Sequence, residues 1–340
     1  MTLHKRLVLA AAVLLLALLA AWGVAWWMVA RAVENGIVAW AEAQRARGVD
    51  VRYGDLRVGG FPLAVRATAT EPRIAARGAD WRGAELVGEA PLWDPTRIAL
   101  TLPGPQRLRL SDPASPPGEL VAPQGGTGHV TLSPAGVPVE ARLSFADLTF
   151  APETLPEAPA TVSALDLTLR QPAAPPASHQ ETGLAVEVDA RGVRLPSGIQ
   201  SPLGPIVSRA TATVRVQGRP PELHPESLAA WSRDGGTVEM DALGLDWGPL
   251  KATVNGTLAL DRDLQPQAAM TAEVRGADKV LAAFQSRLKP NEVNMARSVI
   301  GMLARPSQDG EPVIMAPLTI QYRALFVGPL KVAAIPVIVW

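Results

Sequence analysis

Four histidines, a few close carboxylates and no cysteine are what this chain of 340 residues offers for chemistry. His4, His129, His179 and His224 are scattered, and no two stand at a metal-ligand spacing. Without cysteine there can be no disulfide, no thiolate catalysis and no cysteine metal site. Asp261 and Asp263 sit at the end of a strand-like run, where carboxylates serve as turn formers rather than as an acid/base pair. Gly125-Gly126-Thr127-Gly128 reads as a loop and not as a phosphate cradle, and no G-x-S-x-G elbow, Walker A loop or GxGxxG occurs. Trp81, Trp93, Trp231 and Trp247 either line a ligand groove or act as bulky core anchors, with only 5 Phe and 2 Tyr to share that role. The expectation is no catalytic residue, no metal, no cofactor and a non-enzymatic protein.

The elements behind these residues are mostly strands. From Val49 the hydrophobic period changes from about 3.6 to 2. Leu165, Leu167 and Leu169 alternate with Asp166, Thr168 and Arg170, and Val254, Leu258 and Leu260 alternate with polar neighbours. Similar runs occur at Ile98 to Leu102, Leu184 to Val188 and Ala212 to Val216. One apolar and one wet face per strand describes antiparallel sheet. Leu165, Leu167, Leu169, Leu258 and Leu260 are therefore the candidate apolar ligand face. Pro and Gly clusters at Pro103 to Pro105, Pro113 to Gly118, Pro172 to Pro176 and Gly218 to Pro221 divide the strands. Gly204-Pro205, Gly248-Pro249-Leu250 and Gly328-Pro329-Leu330 recur between strand-like runs, as turns of hairpin units.

Leu7 to Ala30 carries no charged side chain and follows His4-Lys5-Arg6. As a helix it is roughly 36 Å long, enough to cross a bilayer core of about 30 Å. Lys5 and Arg6 place residues 1–6 in the cytoplasm and the bulk of the chain in the periplasm, on a single-pass anchor in the cytoplasmic (inner) membrane. A cleaved signal peptide is the rival reading of the same segment. Trp22, Trp26 and Trp27 cluster at its outer end, where indole rings favour the headgroup layer. Residues 31–48 continue as a juxtamembrane helix, with Val33, Ile37, Trp40 and Ala41 on one stripe and Gly48 as C-cap. The remaining body, 49–340, forms one unit or divides near 171–182. The whole chain is 48% hydrophobic and 19% charged, the composition of a folded protein rather than of a disordered tail. Basic and acidic residues balance at 32 each, which gives no footprint for nucleic acid.

Helices return late. Pro225 to Trp231 suits a short turn of helix, Asp278 can cap a helix carrying Val280, Leu281, Phe284 and Leu288, and Asn291 to Ala304 follows before Pro306. The fold class expected is mainly β with helices: an N-terminal transmembrane helix, then a curved antiparallel sheet packed with a late helical pair.

Certain landmarks in this order resemble a known family. They are Gly59-Gly60-Phe61-Pro62, Trp231 before Gly235-Gly236, Leu245-Asp246-Trp247-Gly248-Pro249-Leu250, and Gly256-Thr257-Leu258-Ala259-Leu260-Asp261. The helical pair Val280 to Arg305 and the closing Val327-Gly328-Pro329-Leu330 with Pro336 complete the set. Together they resemble the proteobacterial family called domain of unknown function 2125, a resemblance that brings no activity with it. That family ends with Gly before its last strand pair, where this chain has Gln321-Tyr322-Arg323. Gly256 to Arg275 is also similar, as distant analogy, to repeats of AsmA-like envelope proteins, elongated β grooves implicated in lipid movement. Two functions stay open. One is a binding module holding or passing lipid on an apolar sheet face. The other is a structural or scaffolding envelope protein with a closed core. An opening of the face, or its plugging by Asp278 to Ala304, separates them.

Overall fold

The computed structural model describes residues 3–76, 78–111, 117–153, 157–222, 224–305 and 312–340, with side chains from residue 12 onward. Residues 113–116 of the Pro113 to Gly118 cluster, and Pro306, lie outside the described residues.

Helix α1 (Leu3–Ala46) joins the apolar and juxtamembrane stretches without a break, about 66 Å in all. Residues 12 to 20 are exposed, and the helix is long and apolar enough to cross a membrane. Ala30 and Ala41 are buried, and Gly23, Trp26, Val33, Ile37 and Gln44 half-buried, one stripe at helical spacing. Trp40 corrects the expected stripe: one residue before Ala41 is about a 100° rotation away, and Trp40 is 48% exposed. Gly48 at φ 83° ends the helix, and the amides of Gly48 and Val49 donate to the Arg45 and Gln44 carbonyls.

The body is one antiparallel sheet. Its first strands are short: β1 (Asp50–Arg52), β2 (Leu56–Gly59), β3 (Ala64–Thr70), β4 (Arg73–Ala76) and β5 (Ala79–Gly83). Then come β6 (Glu85–Pro91), β7 (Arg97–Pro103), β8 (Gln106–Leu110), β9 (Gly118–Ala122) and β10 (Gly125–Leu132). Longer strands follow: β11 (Pro138–Pro152), β12 (Ala160–Arg170), β13 (Thr182–Arg194) and β14 (Ile206–Gln217). Helix α2 (Pro225–Arg233) leads into β15 (Val238–Trp247), β16 (Leu250–Leu260) and β17 (Pro266–Arg275). Helices α3 (Ala277–Phe284) and α4 (Pro290–Leu303) precede β18 (Ala304–Arg305), β19 (Val313–Gln321), β20 (Ala324–Val327) and β21 (Leu330–Ala334).

The sheet forks at β11. One edge of β11 pairs with β12 along its length. The other edge pairs with β10 up to Phe145 and with β9 from Thr149. One branch then runs β10, β7, β6, β3, β2 and the other β9, β8, β5, β4, β1. Asp147 sits at the changeover with φ 52°, and Gly192 on β13 has φ 62° opposite the same Ser163. These unpaired positions bend the strands. On the other side a meander continues from β12 through β17 to β19, β20 and β21. The result is an open, curved sheet.

Turn chemistry explains the meander. Gly248-Pro249 and Gly328-Pro329 each make a two-residue hairpin turn, with Gly at φ 55° in both. Gly204-Pro205 stacks on the first of these, where the Trp247 indole donates to the Gly204 carbonyl at 3.0 Å. Gln321-Tyr322-Arg323 forms its turn without glycine, holding Tyr322 and Arg323 at φ 52° and 55°. Asp278 is not the cap of α3. Gly276, in a left-handed conformation, takes that position because the chain must turn sharply beside Pro249. Gly125-Gly126-Thr127-Gly128 is strand rather than loop. Side chains at Gly126 and Gly128 would collide with Phe145 and with the β11 backbone, so glycine is what lets the two strands close up.

Candidate apolar binding face

Residues directly opposite in antiparallel strands point to the same side of a sheet. That rule joins the separate strand patterns into rows. Ala67, Gly88, Leu100, Gly128, Leu143 and Leu167 stand opposite one another in turn from β3 to β12. Val188, Ala212, Leu243, Val254, Ala272 and Ala316 continue the row from β13 to β19. No polar side chain interrupts it. A second row runs Ala141, Leu169, Val186, Val214, Met240, Gly256, Met270 and Leu318. A third runs Leu184, Val216, Val238, Leu258, Ala268 and Ile320.

Leu165, Leu167, Leu169, Leu258 and Leu260 all belong to this face and are all half-buried. Leu165 and Leu167 line a cavity of about 440 Å³ where the two branches diverge. Trp81, Leu86, Leu100, Leu108, Leu120, Leu143 and Phe145 complete its apolar wall, so both branches turn their apolar sides inward. Leu169 stands in the second row opposite Val186, Leu258 in the third opposite Val238, and Leu260 at its strand end opposite Pro266. Two polar residues, Gln106 and Arg107, also line the cavity wall. Gln106 is 3% exposed, its Nε2 donates weakly to the Pro103 and Gly104 carbonyls, and its Oε1 has no partner among the described residues.

No residue of α3 or α4 lines the fork cavity. The helical pair leaves the sheet at the end of β17 and re-enters through β18 beside the start of β19. Val293 is its buried residue, while Met295 and Met302 are exposed. Of the tryptophans weighed from the sequence, Trp81 faces the cavity and Trp231 is buried, its indole donating to the Gln217 carbonyl at 2.9 Å. Trp247 braces a turn and Trp93 is 74% exposed.

The first row begins beside α1. Val29, Val33 and Ile37 of the helix enclose a second apolar space, about 250 Å³, with Val65, Ala67, Gly88, Ala90, Leu92 and Ile98. Ala67 and Gly88 are members of the first row, so the apolar face starts against the helix that leaves the apolar stretch.

The opposite face is wet and laced with arginine. Arg209 holds Asp189 through two bonds of 2.9 and 3.1 Å, and Arg215 holds Asp241 through 2.7 and 2.6 Å. Arg170 bridges Glu140 and Glu187, and Arg191 binds Asp166. Arg82 and Arg73 share Asp80 and hold its carboxyl well below the usual range. Arg170 does the same for Glu140 with help from Arg142, Arg209 for Asp189, and Arg215 for Asp241. These are cross-strand staples on a sheet whose other side is incompletely covered. His129 lies 3.6 Å from Glu140, and the His224 ring caps α2 by accepting the Ser227 amide. Asp261 accepts the amides of Asp263 and Gln265, both at 2.8 Å, as a turn former does. Among the described residues no group of three or more His, Asp or Glu could hold a metal ion.

Sheet and face together define a class: an open antiparallel sheet with one continuous apolar side, carried behind a long apolar helix. Over residues 26–336 the chain matches the family described as "Uncharacterized protein conserved in bacteria (DUF2125)", and it belongs to that family. No curated protein and no solved structure matches it.

Proposed function

We propose that this is a non-enzymatic lipid-handling protein of the cell envelope, anchored in the cytoplasmic membrane by α1 with its body in the periplasm. Its apolar sheet face holds or passes acyl chains. The carrying observation is the uninterrupted row from Ala67 to Ala316, half-buried along most of its course and starting against α1. A Leu or Val held half-exposed forgoes part of the roughly 1.5–3 kcal/mol its burial would bring. Contiguous exposed apolar surface of this kind marks an interaction site. Acyl chains suit it because nothing along the rows selects for charge or hydrogen bonding. The AsmA-like likeness of Gly256 to Arg275 points the same way by analogy.

The test uses the full chain in phospholipid vesicles containing a photoactivatable acyl-chain probe. Adducts are expected on peptides carrying Leu143, Leu167 and Val188. The Ala212→Trp variant, which fills the row near its middle, is expected to fold and to lose adducts beyond β14. Adducts confined to α1, with an unlabelled sheet, would sink the lipid reading and leave the scaffold.

A further inference from the structure

The tip of the β2–β3 hairpin, Gly60-Phe61-Pro62-Leu63, has no polar side chain. It reaches back along α1 into the apolar stretch instead of stopping at its end. The Trp22 indole donates to the Pro62 carbonyl at 2.9 Å and the Trp26 indole to the Ala64 carbonyl at 2.7 Å. The Trp26 and Phe61 rings meet edge to face, 5.5 Å between centroids. At about 1.5 Å per residue, Trp22 lies roughly 22 Å along the helix from Leu7 and Trp26 roughly 28 Å. A hydrocarbon core of about 30 Å that begins at Leu7 ends just past Trp26. The hairpin tip is therefore level with the boundary of the core.

Surface and backbone both suit that depth. Phe61 is 58% exposed and Leu63 60%. Trp93, 74% exposed, follows Leu92, whose amide donates to the Leu63 carbonyl at 3.1 Å and so brings the backbone at Trp93 next to the hairpin tip. Aromatic side chains favour the headgroup layer. Backbone near hydrocarbon must have its polar groups paired. Here Pro62 has no N–H, and the carbonyls of Gly60, Pro62, Leu63 and Ala64 accept from Ala64, Trp22, Leu92 and Trp26 respectively, which pairs part of the tip's backbone and suits the boundary of the core rather than its interior.

We infer that Phe61, Leu63 and Trp93 form a second membrane-inserting element, which seats the start of the apolar sheet face on the bilayer beside α1. The occupant of this patch is the bilayer surface. The inference rests on reading Leu7 to Ala30 as a membrane span. It adds a second contact that fixes how the body tilts and brings the first row to the level where acyl chains begin.

The chain has no cysteine, so single labels report cleanly. Phe61→Cys, Leu63→Cys, Trp93→Cys, Leu15→Cys and Met302→Cys would each carry an environment-sensitive fluorophore, in the full chain in phosphatidylcholine vesicles. Met302, 83% exposed on α4, is the water control, and Leu15 reports the span itself. Positions 61, 63 and 93 are expected to be quenched by lipid-borne nitroxide and several-fold less than position 302 by aqueous iodide. Leu63→Cys guards against loss of the Trp26–Phe61 ring contact in Phe61→Cys. Iodide reaching 61, 63 and 93 as readily as 302, with 15 shielded, overturns the inference and leaves the span standing. Iodide reaching 15 as well overturns the span and the inference with it.

Discussion

Gln265 holds Ile338 through both ends of its side-chain amide. Its Nε2 donates to the Ile338 carbonyl at 3.0 Å and its Oε1 accepts the Ile338 amide at 2.9 Å. A side chain thus copies the pair of hydrogen bonds exchanged by opposed strand residues and ties the C-terminal segment to the β16–β17 turn. The Trp340 indole adds a bond to the Leu264 carbonyl at 2.7 Å. Gln265 is 7% exposed, so removing its amide strands the partners in a partly dry site. Gln265→Ala is expected to cost about 1–3 kcal/mol. Hydrogen exchange at Ile338 should rise sharply in this variant. Unchanged protection there would show that the tail is held by something other than the clamp.

The β19–β20 turn stores strain that glycine would relieve. Tyr322 and Arg323 both occupy the left-handed region, and both are exposed. A two-residue turn of this kind favours Asn-Gly. Arg323→Gly is expected to raise stability by about 1 kcal/mol, read as a shift in the denaturant midpoint with an unchanged slope. Its backbone carbonyl, which accepts the Ile335 amide at 2.8 Å, is retained in the variant.

Acid acts on the wet face. Asp80, Glu140, Asp189 and Asp241 are each held below their ordinary values by arginine in the folded state. Lowered carboxylate values mean that the unfolded chain takes up protons first as pH falls. Their stabilisation is complete above the unfolded values near 4 and is lost as pH drops through the folded ones. The thermal midpoint is expected to stay level from about pH 8 to 5 and to fall below about pH 4. Exposed pairs contribute only about 0.2–1 kcal/mol each, so Asp241→Asn lowers neutral-pH stability slightly and loses less on acidification. An equal acid loss in the variant would place the titration elsewhere.

What the sequence made legible was whatever repeats with a period or a forced turn. Alternation at Leu165, Leu167 and Leu169 reveals a strand face without knowledge of its neighbours. Gly248-Pro249 and Gly328-Pro329 mark hairpins because few residue pairs fit such turns. Period says nothing of register, so the rows that connect β3 to β19 could not be read in advance. Nor could the sequence tell Leu165 and Leu167, which line the fork cavity, from Leu169, Leu258 and Leu260, which do not. The fork depends on an unpaired Asp147 in the middle of a regular run. The strand at Gly125 to Gly128 carries no hydrophobic pattern, because its apolar surface comes from Leu143 and Phe145 lying across it. Trp22 and Trp26 suit an interface by type alone; that they also bind a hairpin tip depends on residues some forty positions away.

Orientation supplies the last prediction. Lys5 and Arg6 precede the apolar stretch, and Arg31 follows it. Arg31 is partly spoken for, since its guanidinium sits 5.6 Å from the Trp27 ring and 3.9 Å from the Glu34 carboxylate. The basic excess therefore lies before Leu7, and positive charge stays on the cytoplasmic side. A reporter that works only outside the cytoplasm, fused after Trp340, is expected to be active, and one that works only inside to be silent. Lys5→Glu combined with Arg6→Glu removes the asymmetry and is expected to give molecules of both orientations, with both reporters partly active. An active cytoplasm-only reporter on the unaltered chain would place the sheet inside the cell. That result would remove the periplasmic part of the proposal while leaving the apolar face, which depends on strand register alone, untouched.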